Sequence, residues 1–149
     1  MTSDAMSANR SSPDRVYLGG VRVLLVDNCK YVRAMVVAML EDYGATVTAV
    51  GTADEALEIL ERERPEVLVS ALAMPDKGGY WLIGKVRGLP PERGGATPAA
   101  ALTGFTGPEH RASILRAGFQ YHIEKPVTPD NLSGIVALLA LKALLPPQE

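Results

Sequence analysis

The chain has 149 residues, 47% of them hydrophobic, which is one domain's worth of material and enough to bury a core without disulfides or metal. Seventeen acidic residues against fifteen basic ones leave a formal net charge of −2, so the electrostatic footprint that nucleic acid or an anionic membrane would require is missing. A single cysteine, Cys29, permits no intrachain disulfide and fits a reducing compartment.

Residues 1–20 carry Asp4, Arg10, Asp14 and Arg15 with no apolar stretch. They read as a disordered or loosely attached tail rather than a signal or anchor, and a cytoplasmic location is expected. The domain is expected over residues 21–145, with a short tail at 146–149. Within it, strand-length apolar runs alternate with helix-period segments. Strands are predicted at 21–26, 45–50, 67–71, 99–102 and 121–124, and helices at 28–43, 53–64, 79–87, 108–117 and 129–145. The strands alternate little with polar residues, which implies burial on both faces and a parallel sheet covered by helices.

Helix starts are well signalled. Thr52 with Glu55 and Thr106 with Glu109 have capping-box spacing, and Pro129 after Thr128 suits a first helical position. Residues 89–97 form a polar loop. The third helix turns Leu82, Val86 and Leu89 inward and Trp81 outward with Lys85, where Trp81 serves either a partner contact or boundary packing. The last helix is apolar on two sides. Leu132, Ile135, Val136, Leu139 and Ala143 should cover the sheet, while Gly134, Leu138, Leu141 and Leu145 fall opposite, where charge would be usual. The apolar run at 135–141 stops at Lys142, far short of the ~20 residues of a membrane span.

In such a sheet, function gathers at the carboxyl ends of the strands. Four landmarks mark those ends in order: Leu24, Leu25, Val26 and Asp27; Met74 and Pro75 with Gly79 and Tyr80; Ala101, Leu102 and Thr103; and Ala117 and Gly118 through Lys125 and Pro126. Together they resemble the receiver domain of two-component response regulators over about residues 21–145, with segments 56–65 and 125–130 most like receivers of hybrid histidine kinases. The resemblance implies a doubly wound, flavodoxin-like (βα)5 α/β fold with strand order 2-1-3-4-5. It also implies phosphotransfer from a phosphohistidine to an aspartate. That chemistry needs carboxylates to hold Mg²⁺, a carboxylate to attack, and a lysine and a hydroxyl to take up the product's charge.

The pattern departs from the family where the chemistry lies. The acidic pair after the first strand is Asp27 with Asn28, and the attacking aspartate at the end of the third strand is Ala71. A methyl cannot attack, and one carboxylate beside a neutral amide should bind Mg²⁺ weakly or not at all. Thr103 and Lys125 match the family's hydroxyl and lysine, and a cis bond from Lys125 to Pro126 is usual there. Lys125 is expected to pair with Asp27, as retained scaffold or as part of a pocket still holding an anion. Gly78, Gly104 and His122 are further departures, His122 occupying the aromatic switch position. His110 reads as solvated, and Cys29 as a small residue at a helix start.

The expectation is a stand-alone pseudo-receiver: not an enzyme, without a cofactor, acting in phosphorelay-type signalling by protein contact. Its partner would be a histidine kinase or another receiver, in a homodimer or heterodimer through the fifth helix, with neither nucleic acid nor membrane as partner. The chain stops directly after that helix, so no output domain is expected. Two alternatives stay open: phosphorylation at Ser70 or Asp76, although Asp76 lies five residues beyond Ala71, and a sensor binding a small anion or apolar ligand.

Overall fold

The computed structural model describes residues 16–104 and 107–144. Five parallel strands stand in the order β2-β1-β3-β4-β5: β1 (Arg22–Val26), β2 (Thr46–Val50), β3 (Val67–Ala71), β4 (Ala99–Thr103) and β5 (Tyr121–Glu124). The helices are α1 (Lys30–Asp42), α2 (Ala53–Glu63), α3 (Gly79–Arg87), α4 (Pro108–Ala117) and α5 (Pro129–Leu144). The expected architecture and strand order are present.

Side-chain alternation divides the core into two layers. Val23, Leu25, Val67, Val69, Ala100 and Leu102 face the side covered by α1 and α5, where Val36, Leu40, Leu132, Val136 and Leu139 pack. Leu24, Val26, Leu68, Ala99 and Ala101 face α2, α3 and α4, meeting Ala56, Leu60, Leu82, Ile83, Val86 and Ile114. Apolar residues at successive strand positions therefore serve opposite faces, which is why the strands read as unbroken runs.

Local signals account for the helix ends. Thr52 caps α2, its hydroxyl accepting from Glu55 N–H at 3.2 Å, and Thr128 accepts from Asn131 N–H at 3.3 Å ahead of α5. At α4 the N-cap is Gly107, without a side-chain cap and with Pro108 at the first position. The expected capping residue, Thr106, lies outside the described residues. Helix α1 begins two residues later than the sequence suggests, because Asp27 turns back to accept from Cys29 N–H at 2.9 Å. The polar loop holds an unforeseen 3-10 turn at Pro91–Arg93.

The domain starts earlier than expected, because Val16 and Leu18 belong to it rather than to a tail. Leu18 is 1% exposed within the α1/α5 layer, and Val16 packs against that layer. Leu18 N–H donates to Tyr43 O at 2.7 Å, satisfying a carbonyl at the end of α1 that has no partner within its helix. The first fifteen residues and the tail at 146–149 lie outside the described residues.

Arg87 ties three segments together beside α3. It donates to Gly118 O at 2.9 Å, Gly95 O at 2.9 Å, Thr97 O at 2.7 Å and Gln120 Oε1 at 3.2 Å. Burial holds its guanidinium below the usual arginine value. Among the described residues, no helix is long and apolar enough to cross a membrane.

Candidate functional site

Four strand ends build the site. β1 delivers Asp27, whose N–H donates to Val50 O at 3.2 Å, and Arg33 secures the same residue by donating to its carbonyl at 2.7 Å. β3 ends on Ala71, paired in register with Leu102 of β4. β4 delivers Thr103, and its carbonyl accepts from Lys125 N–H at 2.9 Å at the end of β5. Asp27, Ala71 and Thr103 are 1%, 2% and 3% exposed, so the floor of the site is buried and rigidly placed. The Lys125–Pro126 bond is cis, as expected.

The chemistry of that floor is an ion pair beside a methyl. Lys125 Nζ lies 3.5 Å from Asp27 Oδ2, the pairing the sequence suggests, while Asp27 Oδ1 takes the Cys29 N–H. Asn28 does not join them. It is exposed and lines an adjoining hollow of about 490 Å³ with Gly51, Thr52, Asp54, Asp76 and Lys77.

Thr103 has an additional partner, one that sequence reasoning missed. His110, in the first turn of α4, places Nε2 3.1 Å from Thr103 Oγ1. The histidine expected to be solvated is therefore half-buried against the site. Its spacing of seven residues from Thr103 across a loop offered no periodic signal. His122 is also half-buried, with Nε2 3.6 Å from Glu124 Oε1.

The glycines opening α3 are fixed by close approach. A Cβ on Gly78 would meet Leu72 O at 2.5 Å, and one on Gly79 would meet Ala71 O at 2.3 Å. An aspartate at position 78 would strike backbone.

Neither alternative acceptor lies in the floor. Ser70 is fully buried and donates to Ala71 O at 2.9 Å; alternation points its side chain away from that of Ala71. Asp76 is exposed, with a left-handed φ of 72°.

The expected contact residues separate. Leu138 and Leu141 of α5 are 48% and 60% exposed, with Gly134 half-buried beside them. Leu145 lies outside the described residues. Leu144, 79% exposed, extends the same apolar end. Ala143 is exposed rather than covering the sheet, because the last turn of α5 lies beside an open groove at the amino-terminal edge of the sheet rather than over its core. Trp81 is half-buried against the α2/α3/α4 layer, with Lys77 and Lys85 ammonium groups 4.8 and 5.8 Å from its ring. Trp81 thus has boundary packing, one of the two roles expected of it. On the same helix Ile83 is fully buried, whereas Leu89, two residues past its end, is only half-buried.

Comparison with known proteins agrees with this geometry. The family model of the response regulator receiver domain matches residues 23–137. An uncharacterised 14.6 kDa protein of Leptolyngbya boryana is 45% identical over 119 residues, covering 80% of this chain and 89% of that protein. Hybrid signal transduction histidine kinase D of Dictyostelium discoideum is 30% identical over 148 residues, covering 93% of this chain but 10% of the kinase. Among solved structures, the receiver domain of sensor histidine kinase PA1611 from Pseudomonas aeruginosa, with a magnesium ion coordinated in its active-site cleft, superposes with a TM-score of 0.74. It is 27% identical, over 82% of this chain and 98% of that one.

Proposed function

The chain belongs to the response regulator receiver family of two-component signalling, and we propose that it is a pseudo-receiver: a non-enzymatic member that signals by protein contact without aspartyl phosphorylation. The observation that carries this reading is Ala71. It occupies the end of β3, in register between the strands that bear Asp27 and Thr103, and presents a methyl where an attacking oxygen is needed.

The donor set does not fit a resident Mg²⁺. A hard divalent cation gathers carboxylate charge, and this floor offers one carboxylate, already engaged by Lys125 and the Cys29 N–H. Asn28 is neutral and faces the adjoining hollow. The pair between Asp27 and Lys125 supports the site as charge-satisfied scaffold rather than as a phosphoryl-transfer centre. The burial and orientation of Ser70 argue against it as a substitute acceptor.

Output is then a binding event, with a histidine kinase or a second receiver as partner and the exposed end of α5 as the contact. A cytoplasmic, nucleic-acid-independent role is part of the same reading, in keeping with the balanced charge. So is action as a stand-alone domain, since most of the Leptolyngbya relative is this same unit.

The test is incubation with acetyl phosphate and Mg²⁺, followed by intact mass. No phosphoryl adduct is expected under conditions that label an active receiver. An adduct mapped to any residue of the domain would overturn the reading.

A further inference from the structure

Helix α4 has a thin apolar attachment. Of its ten residues only Ile114 is buried, and the neighbouring Leu115 stands 54% exposed. Most helix stability in proteins comes from packing an apolar face, so the placement of this helix depends on polar ties at its ends. At the carboxyl end, the C-cap Gly118 gives its carbonyl to Arg87 Nε at 2.9 Å. At the amino end, His110 Nε2 meets the hydroxyl of Thr103 at 3.1 Å. Gly107 supplies no side-chain cap there, and Thr103 itself is immobilised in β4 and 3% exposed.

We propose that His110 is a built-in latch: its imidazole occupies the Thr103 hydroxyl and fastens the first turn of α4 to the end of β4. The inference rests on the pseudo-receiver reading, because a phosphoryl group at position 71 would compete for that hydroxyl. Without one, an internal side chain takes the place of a ligand. A two-state element responds only to a ligand that distinguishes its states; here the distinguishing contact is part of the chain, so α4 and its exposed Leu115 are presented to a partner in one fixed arrangement.

The test is amide hydrogen exchange on the full chain, comparing the parent with His110→Ala, Thr103→Val, the double variant and Thr103→Ser. Loss of a hydrogen bond of ordinary net strength should speed exchange in α4 roughly fivefold in each of the first two variants, with sheet amides unchanged. In the double variant the two effects should combine to less than their product, because the shared contact is lost only once, and Thr103→Ser, which keeps the hydroxyl, should match the parent. Unchanged α4 exchange in His110→Ala, multiplying effects in the double variant, or acceleration of sheet and α4 together in His110→Ala would each overturn the latch. If Thr103→Val unfolds the domain, His110→Ala and Thr103→Ser decide. Acetyl phosphate labelling of the parent separates the two levels: a labelled parent overturns the pseudo-receiver reading, whereas an unlabelled parent with indifferent α4 exchange overturns the latch alone.

Discussion

Lys125 Nζ lies 3.5 Å from Asp27 Oδ2, joining the ends of β5 and β1 across the two strands between them. The partners are unequal: the Asp27 side chain is 2% exposed and that of Lys125 is 37% exposed. The ammonium can return to water, and the carboxylate cannot.

That asymmetry predicts unequal losses. Lys125→Met leaves a buried carboxylate that still accepts from the Cys29 N–H. Removing one partner of a fully buried pair costs about 3–5 kcal/mol; the partial exposure of Lys125 reduces the expectation to roughly 1–3 kcal/mol. Asp27→Asn keeps the acceptor for Cys29 and releases Lys125 to solvent, so the loss should stay below about 1 kcal/mol. Urea denaturation of both variants checks this, and equal losses would show that the pair does not govern the site.

Mg²⁺ should leave stability unchanged. A ligand that binds the native state alone stabilises by RT ln(1 + [L]/Kd), so a receiver with a millimolar site gains about 1.4 kcal/mol at ~10 mM metal. With one engaged carboxylate in the floor, this chain should gain nothing beyond the ionic-strength effect. Thermal melts in MgCl2 and in NaCl of matched ionic strength should coincide. A saturable rise specific to Mg²⁺ would contradict the donor count.

The chemistry should be recoverable by local change. Asn28→Asp combined with Ala71→Asp returns the two missing carboxylates beside Asp27, Thr103 and Lys125, whose strands already hold them in place. The variant should bind Mg²⁺ and accept phosphate slowly from acetyl phosphate. Without metal it should be less stable than the parent, because three carboxylates then share one lysine. A folded variant that neither binds metal nor labels would locate the divergence in the pocket's shape, with the latch at His110 the first feature to remove.

Arg87 should be among the costliest single positions outside the two core layers. Its fork satisfies carbonyls from Gly118, Gly95 and Thr97 and the side chain of Gln120. Arg87→Leu takes the donor from the three carbonyls, while Gln120 Oε1 keeps the Ala99 N–H, for an expected loss of about 2–4 kcal/mol. Arg87→Lys should recover only part, since one ammonium cannot span the fork. A cation whose folded pKa is lowered by burial gains stability only as pH rises past that value. Arginine titrates above ordinary assay pH, so the loss should not vary across that range. A strong pH dependence in the difference between parent and Arg87→Leu would refute this account.

The sequence specified most of the fold because four of the five strands are followed by a chemical signal: Thr52 and Thr128 at helix starts, and Asp27, Thr103 and Lys125 at strand ends. The pairing of Asp27 with Lys125 was legible through the family resemblance, which puts a lysine at position 125 and, with Ala71 offering no carboxylate, leaves Asp27 as its partner. Three features with tertiary causes were not legible. Val16 and Leu18 precede the first periodic element, and tertiary contacts, packing on the α1/α5 layer and the hydrogen bond to Tyr43, draw them in. Thr103 and His110 meet from the end of β4 and the first turn of α4, where spacing carries no directional information. Ala143 has the helical phase of a core residue, but phase does not reveal where the sheet ends beneath the helix.

The exposed end of α5 should be a protein contact. Leu138 and Leu141 are 48% and 60% exposed, and Leu144 is 79% exposed one turn on, while Lys142 is the only charged residue of the helix after Asp130. Single exposed leucines are ordinary, but three along one end of a helix form the kind of patch that marks an interaction site. Gly134, on which an added Cβ would meet nothing within 4 Å, leaves that face open to close approach. Light scattering should find the parent as a dimer, or as a monomer that pairs with a second receiver domain. Leu138→Glu with Leu141→Glu should yield a folded monomer and weaken capture of the partner at least tenfold, because about 1.4 kcal/mol is a factor of ten and burying two carboxylates at an interface costs more than that. Both side chains already face solvent in the isolated domain, so the same changes should alter its unfolding free energy by no more than about 0.5 kcal/mol. A parent that is monomeric, and whose partner binding is untouched by the two glutamates, would place the contact elsewhere on the domain.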